Sequence, residues 1–319
     1  MKATPSCIRT IRGDVAVEEL GRCSAHEHVI IESPHIAAHH AAFVLDDVDA
    51  ACTDLGAFRE AGGSWVVDTM PVAAGRHAFK LAEASRRSGV QIVAPTGLHL
   101  PTYYPPDASV LSMDREELAA LFEREIVEGL IDGPGRAGVI KVAGDLERLS
   151  DHQREAFAAA GHTFHRTGCP IITHTERGTA GMEQVKRLVD AGADPARVVL
   201  SHTDRLPDVA YHRELLETGV TLEYDQHFRW LARGEDCPTL DLIAELLPVY
   251  PNQIVVGMDL ARRAYWRGHG GGPGLAWLLT DLPSLLRDRG LHEEALRRVL
   301  RENPARAFAF GSRAQTVGV

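Results

Sequence analysis

Two hydrophobic patterns alternate along the chain. Short runs rich in β-branched residues are followed by longer stretches in which apolar residues recur every three to four positions, as in amphipathic helices. No Pro-rich or Ser-rich linker interrupts the alternation, so we expect one domain over residues 1–319 with a short N-terminal extension and a C-terminal helix. The predicted strands are residues 23–31, 64–69, 91–96, 137–143, 170–175, 197–202, 220–225 and 253–259.

Repeated strand–helix units either stay open as a doubly wound sheet or close into a barrel. An open dinucleotide-binding sheet would carry Gly-x-Gly-x-x-Gly after its first strand, and the sequence has no such motif there. We therefore predict an α/β fold of the (β/α)8 TIM barrel type. Two intervening helices have capping-box spacing at their start, Asp114 with Glu117 and Ser150 with Gln153.

Side chains of metal-ligand type stand at the ends of the predicted strands, where barrels carry their catalytic residues. The two-residue period of a strand places His26 and His28 on one side and points Glu27 away. Lys141 lies inside an apolar strand, where an unpaired charge would cost several kcal/mol, so something must neutralise it. The remaining candidates end three later strands: His174, His202 and Asp259.

The composition excludes several kinds of partner. Lys and Arg number 34 against 44 Asp and Glu, and no basic run is interleaved with aromatic residues, which argues against nucleic-acid binding. No apolar run approaches the roughly 20 residues of a membrane helix, and no secretory leader is visible. Five scattered cysteines without a Cys-x-x-Cys pair indicate reduced thiols. We expect a cytoplasmic protein without a membrane partner.

Several short motifs occur in one order along nearly the whole chain. They are GRCSAHEH at 21–28, Lys141, THT at 173–175, SHTD at 201–204, Asp259 and ENPAR at 302–306. As a set they resemble the phosphotriesterase-like family of the amidohydrolase superfamily. The resemblance implies a (β/α)8 barrel with a binuclear metal centre at the C-terminal face of its strands.

The resemblance also implies the roles of the candidate residues. The two divalent ions are usually zinc, with Mn²⁺ or Co²⁺ as alternatives, and Lys141 carboxylated by CO₂ would bridge them. A bridging hydroxide would attack the substrate, and Asp259 would take its proton and pass it to the leaving group. The resemblance implies that the more buried ion is held by His26, His28 and Asp259. The more exposed ion would be held by His174 and His202.

Two departures from the family pattern narrow the range of expected substrates. Asp225 is followed by Gln226, whereas the phosphotriesterases have a histidine there, which weakens a paraoxon-type activity. The segment from Gly97 to Tyr104 lacks the early tyrosine typical of acyl-homoserine lactonases, so a quorum-quenching role is unsupported.

The segment after the eighth strand is similar to the phosphotriesterase-homology and sugar-lactonase branches. Arg262 and Tyr265 match the Arg and Tyr that grip the substrate phosphate in relatives acting on phosphorylated furanose lactones. Arg229 or Arg233 would supply the assisting basic residue. The resemblance therefore implies hydrolysis of a carboxylic ester or lactone, with an anionic small molecule such as a phosphorylated sugar lactone as the substrate.

Other interpretations stay open on the sequence. The same chemistry would serve an amidohydrolase of N-acyl compounds or a promiscuous phosphotriesterase, and the barrel is also compatible with a non-catalytic ligand-binding protein. Arg262 would only brace its loop if it paired with Glu223 or Asp225. The glycine-rich stretch 268–274 is either a flexible lid or an ordinary surface loop. A homodimer is left open as the assembly.

Overall fold

A computed structural model describes residues 7–310, and each predicted strand has a counterpart in it. The first two strands form an antiparallel hairpin that the periodicity did not predict. The strands are β1 (Cys7–Thr10), β2 (Gly13–Ala16), β3 (Arg22–Glu27), β4 (Gly63–Asp68), β5 (Gln91–Val93), β6 (Pro95–Leu98), β7 (Val139–Gly144), β8 (Ile171–Thr175), β9 (Val198–Ser201), β10 (Thr221–Tyr224) and β11 (Ile254–Val256).

Strands β3 to β11 form a closed parallel barrel in sequence order. Strands β5 and β6 make up one barrel strand interrupted at Ala94, whose carbonyl accepts a hydrogen bond of 2.9 Å from the N–H of Gly138. The barrel closes where the N–H groups of Met258 and Asp259 donate to the carbonyl of His26, at 3.3 and 2.9 Å. The (β/α)8 barrel expected from the sequence is confirmed.

Helices connect the strands and pack on the outside of the barrel. A π-helical turn, Arg298–Glu302, lies between the last two. The helices are α1 (Pro34–His39), α2 (Val48–Glu60), α3 (Ala78–Ser88), α4 (Arg115–Val127), α5 (Asp151–Thr167), α6 (Gly181–Asp190), α7 (Val209–Glu217), α8 (His227–Ala232), α9 (Pro238–Leu246), α10 (Trp277–Thr280), α11 (Leu282–Arg287), α12 (Glu293–Arg297) and α13 (Asn303–Phe308).

The first barrel strand is shorter than predicted. Strand β3 ends at Glu27, and the apolar residues 29–31 lie beyond its end. Ile31 instead forms an isolated bridge with Leu45 and packs in the layer between strands and helices. A run of apolar residues indicates that the segment is buried, but not whether it belongs to a strand or to the layer between strands and helices. The predicted strand was therefore too long.

An apolar layer fills the N-terminal half of the barrel and confines polar chemistry to the other end. Val139 and Ile172 belong to this layer, which Phe308 of α13 closes from below. Side-chain direction repeats every two residues in a strand, so Lys141 and His174 point into the barrel directly above them. The layering therefore places the candidate ligands at the C-terminal ends of the strands.

Two further expectations concern the whole chain. All five cysteines are free, as their scattered spacing predicted. Between residues 7 and 310, none of the helices combines the length and the apolar character that crossing a bilayer requires.

Both predicted capping boxes are present. The Ser150 hydroxyl accepts from the N–H of Gln153 at 3.3 Å, and the Gln153 side chain accepts from the N–H of Ser150 at 2.8 Å. Asp114 and Glu117 make the corresponding pair at the start of α4. These bonds satisfy N–H groups that a helix start otherwise leaves unpaired, so the spacing alone located both helix starts.

Loss of the α5 cap is expected to lower stability modestly. Ser150→Ala removes the acceptor for one helix-terminal N–H and should reduce the free energy of unfolding by about 1 kcal/mol. Urea denaturation followed by circular dichroism measures this. Ser284→Ala is a matched control, because its exposed hydroxyl only donates to a carbonyl at the start of α11. Equal stability of wild type and Ser150→Ala would contradict the capping role.

Candidate metal centre

The C-terminal ends of the barrel strands meet at a cavity of about 360 Å³. His26 and Lys141 lie beneath its surface and are fully buried. The other site residues predicted from the sequence line its wall: His28, His174, His202, Arg229, Asp259, Arg262 and Tyr265. Residues separated by more than 200 positions thus share one pocket.

His26, His28 and Asp259 come together as the sequence predicted. Nε2 of His28 lies 3.3 Å from Oδ1 of Asp259, and Nε2 of His26 lies 3.9 Å from the same oxygen. The three side chains offer ligand atoms that all lie within 4.8 Å of one another. Two imidazole nitrogens and a carboxylate oxygen are donors suited to Zn²⁺ and similar divalent ions.

His174 and His202 adjoin this trio. The ring centroid of His202 lies 4.5 Å from that of His26 and 4.7 Å from that of His174. Lys141 lies below them, and its Nζ donates a hydrogen bond of 3.1 Å to the carbonyl of Thr173. The six predicted ligands therefore occupy one end of the barrel.

A buried acidic group beneath the histidines was not predicted. Glu223 and Asp225 form a second close group of ligand atoms with His26 and His202. Nδ1 of His202 is hydrogen-bonded to Asp225, and Nδ1 of His26 lies 3.6 Å from Glu223. Burial and the charge of Asp225 raise the pKa of neighbouring Asp204 to about 7. Because these carboxylates repel one another in a buried setting, bound cations would stabilise them.

Burial also changes the ionisation of Lys141. It lowers the pKa of the amine to about 7, although Asp259, Glu223 and Asp225 oppose the shift. A substantial fraction of the amine is therefore neutral at neutral pH, which is the form that reacts with CO₂.

Gly97 of β6 allows the neighbouring strand to approach. A Cβ atom on Gly97 would lie only 1.8 Å from the carbonyl oxygen of Lys141, and the φ angle of Gly97 is +126°. Only glycine combines that backbone conformation with that contact. This glycine therefore lets the strand carrying Lys141 pair closely with β6.

The imidazoles are held in the neutral form that metal ions bind. Burial is the largest cause that lowers the pKa of His26, His174 and His202. Nδ1 of His26 is 3.0 Å from the Ser201 hydroxyl, and Nε2 is 2.8 Å from the Thr69 hydroxyl. A neutral imidazole has a lone pair available to a metal ion.

The Asp259 carboxylate has two differently occupied oxygens. Oδ1 faces the histidines, whereas Oδ2 lies 3.0 Å from Arg229 and 3.3 Å from Arg205. Burial alone would raise its pKa, but the charge of Arg229 and the hydrogen bond with His28 hold the pKa of Asp259 well below its usual range. Asp259 is therefore a carboxylate at neutral pH.

The residues predicted to bind substrate differ in their surroundings. The guanidinium of Arg262 lies 5.1 Å from the Phe43 ring centroid and, among residues 7–310, pairs with no carboxylate. The alternative that Arg262 pairs with Glu223 or Asp225 is therefore wrong. Arg229 instead donates to the carbonyls of Asp225 and Met258 at 2.7 and 3.1 Å.

The glycine-rich stretch after β11 packs against the body of the protein. The N–H of Gly268 donates to Asp54 of α2 at 2.8 Å, and a Cβ atom on Gly268 would lie 2.2 Å from the carbonyl oxygen of Ala50. This contact favours the surface-loop interpretation over a lid.

Comparison with known proteins identifies the family. The profile of the Phosphotriesterase family matches residues 6–308. The chain belongs to this family. A phospho-furanose lactonase of Mycoplasmopsis synoviae is 31% identical over 95% of this chain and 91% of its own length.

Solved structures of phosphotriesterase-family proteins have the same fold. A lactonase from Listeria monocytogenes superposes with a TM-score of 0.90 at 26% identity, covering 96% of this chain and all of the other. The phosphotriesterase homology protein from Escherichia coli, solved with phosphate in its active site, has a TM-score of 0.84 at 26% identity over 90% and 98% of the two chains. The chain is therefore a metal-dependent hydrolase acting on a small molecule, as the motifs implied.

Three pocket residues of this phosphotriesterase-family member were missed from the sequence. Glu176 lies 3.0 Å from Nε2 of His174, and Arg205 contacts Asp259. His99 packs with its ring centroid 5.4 Å from that of His174. Each of the three closely follows a barrel strand. They could have been found by including the polar residues just beyond each predicted strand among the candidates.

Proposed function

We propose that the protein hydrolyses a lactone that carries an anionic group, of the phosphorylated sugar lactone class. The observation that carries the proposal is Arg262, whose guanidinium faces the cavity without a carboxylate partner among the described residues. Tyr265 lines the same wall. A planar guanidinium and a hydroxyl suit a phosphate group.

The relatives support this substrate class. One is named a phospho-furanose lactonase, and the E. coli homology protein holds phosphate in its active site. Gln226 lines the cavity of this chain where phosphotriesterases have a histidine, which favours the lactone over a phosphotriester.

We assign the metal ligands as the sequence predicted them. The buried donor atoms and the acidic group beneath them fit two divalent ions, with zinc proposed and Mn²⁺ or Co²⁺ as alternatives. When bound, such ions polarise the scissile carbonyl and make water a stronger nucleophile at neutral pH. His26, His28 and Asp259 would hold one ion, His174 and His202 would hold the other, and a carboxylated Lys141 would serve both.

The chain's own residues supply orientation and proton transfer. Hydrolysis adds the OH of water to the lactone carbonyl carbon, breaks the ring C–O bond and transfers a proton to the departing oxygen. Asp259 is an ionised carboxylate at the cavity wall and would accept that proton and deliver it to the departing oxygen. Arg229 would orient Asp259 and support the anionic end of the substrate.

Removing the proposed anion contact should affect charged substrates selectively. Arg262→Met is expected to lower kcat/KM for a phosphorylated sugar lactone roughly 30-fold, which corresponds to a loss of about 2 kcal/mol of transition-state stabilisation. The neutral parent lactone should be hydrolysed as before. Steady-state assays on the two lactones measure this difference.

The neighbouring arginine provides a matched control. Arg263 lies 3.5 Å from Asp46 outside the cavity, so Arg263→Met should leave both activities unchanged. Equal losses on both lactones in Arg262→Met would show that Arg262 is structural. Adding aryl esters, organophosphates and N-acyl amino acids to the assay would expose a different substrate class.

We further propose that residues 1–319 form one domain and that the protein is cytoplasmic. Whether it assembles as a homodimer is left open. The family match over residues 6–308 and the free cysteines support these two assignments.

A further inference from the structure

Glu27, the last residue of β3, lies between His26 and His28 in the chain and makes contacts that the metal centre does not explain. Strand alternation points its side chain away from the two histidines, and the structure shows that this side chain is fully buried. Oε1 accepts from the N–H of Met258 at 3.1 Å, and Oε2 accepts from the N–H of Leu260 at 3.2 Å. The Ser24 hydroxyl also donates to Oε1, at 2.5 Å.

The residue between these two N–H groups is Asp259. Its φ angle is +46°, in the left-handed region that non-glycine residues rarely adopt. Such a conformation is unfavourable for a residue with a side chain and persists only where the surroundings hold it. Glu27 accepts from the N–H groups of the two residues that flank Asp259, and the N–H of Asp259 itself donates to the carbonyl of His26.

We propose that Glu27 is a positioning residue for Asp259. The inference rests on the proposed function, because it concerns how that ligand and proton acceptor is oriented. Glu27 holds the backbone of residues 258–260 in the strained conformation that turns the Asp259 carboxylate toward His28. The segment 26–28 thus supplies two proposed ligands, His26 and His28, and the residue that positions a third, Asp259.

A role for Glu27 as a metal ligand is less consistent with its contacts. Both of its oxygens accept backbone hydrogen bonds, and Glu27 belongs to neither of the two close groups of ligand atoms around the histidines.

Metal retention tests the proposal without substrate. Glu27→Gln keeps the side-chain length but replaces one acceptor oxygen with an NH₂ donor, and partners behind a ligand typically contribute 10- to 100-fold to metal affinity. We expect zinc affinity, measured by competition with a chelator, to fall about 10-fold or more. On a lactone substrate, kcat should fall while KM stays within about twofold.

Asp54→Asn is the matched control. Asp54 is also a buried carboxylate that accepts two backbone N–H groups, from Gly268 at 2.8 Å and Leu275 at 3.2 Å, but it does not touch Asp259. Both variants should lower the melting temperature, yet only Glu27→Gln should lose zinc affinity. Should Glu27→Gln not fold, Glu27→Asp, which keeps the carboxylate, replaces it with the same expectation.

Asp259→Asn separates this inference from the proposed function. If Asp259→Asn weakens zinc binding and Glu27→Gln does not, the positioning role is overturned and the ligand assignment stands. Equal losses of zinc affinity in Glu27→Gln and Asp54→Asn overturn the positioning role as well, because the effect would then be general destabilisation of the protein. Unchanged zinc affinity in Asp259→Asn overturns the ligand assignment and this inference with it.

Discussion

Lys141→Ala is expected to lose bound divalent metal and at least ~10³-fold in kcat/KM. Lys141 is fully buried beneath the histidines, and its neutral amine is accessible to carboxylation because burial lowers the pKa to about 7. Without the resulting carboxylate, His174 and His202 lose the anion that would join them to the first ligand group. Breaking the bridge of a two-metal site removes most of its catalytic contribution.

Elemental analysis of the purified variant measures the metal loss directly. A short-chain carboxylate such as formate should enter the space left by the side chain and restore part of the metal content and activity. Lys186→Ala is a suitable control, since Lys186 is exposed and pairs with Asp190 at 2.6 Å. Full metal content and activity in Lys141→Ala would exclude the bridging role.

For Asp259→Asn we expect kcat to fall by ~10²-fold or more in a folded protein. The amide nearly preserves the shape of the side chain but cannot accept the proton, and it is a weaker metal ligand. It also removes the negative charge that lies 3.0 Å from Arg229 and 3.3 Å from Arg205. Arg205 then lacks this carboxylate partner, and Arg229 keeps only Asp225, at 3.9 Å.

Kinetics at saturating metal separate the two roles of Asp259. If turnover stays low when metal content has been restored, the loss reflects proton transfer. Asp241→Asn is the control, because this exposed carboxylate pairs with Arg289 far from the barrel interior. Wild-type turnover of Asp259→Asn at full metal content would assign the proton to another residue, and Glu176 in the same cavity would be tested next.

Local patterns identified the barrel and the components of its site. The two-residue period of β7 and β8 puts Lys141 and His174 on the inner face, above an apolar layer formed by the same strands. Parallel barrel strands all end at one face, so ligand-type residues at strand ends were predictable as a group. Helix starts at Asp114 and Ser150 were equally visible, because a cap involves only neighbours in sequence.

Contacts between distant segments were not predictable in this way. The sequence singled out Arg229 as a candidate substrate-binding residue, but it did not show that the guanidinium also contacts backbone carbonyls and Asp259. Nothing near Arg229 in the chain indicates that partner, which lies 30 residues further on.

By itself, the sequence determined the barrel, the inward face of each strand and the kinds of side chain at the strand ends, because periodicity depends only on neighbouring residues. Only the tertiary structure decided which of those side chains meet. Closure of the barrel brings Glu27 to the backbone around Asp259 across more than 230 residues, and it stabilises a left-handed conformation that the neighbouring residues do not by themselves impose. The orientation of the carboxylate is thus a property of the closed barrel.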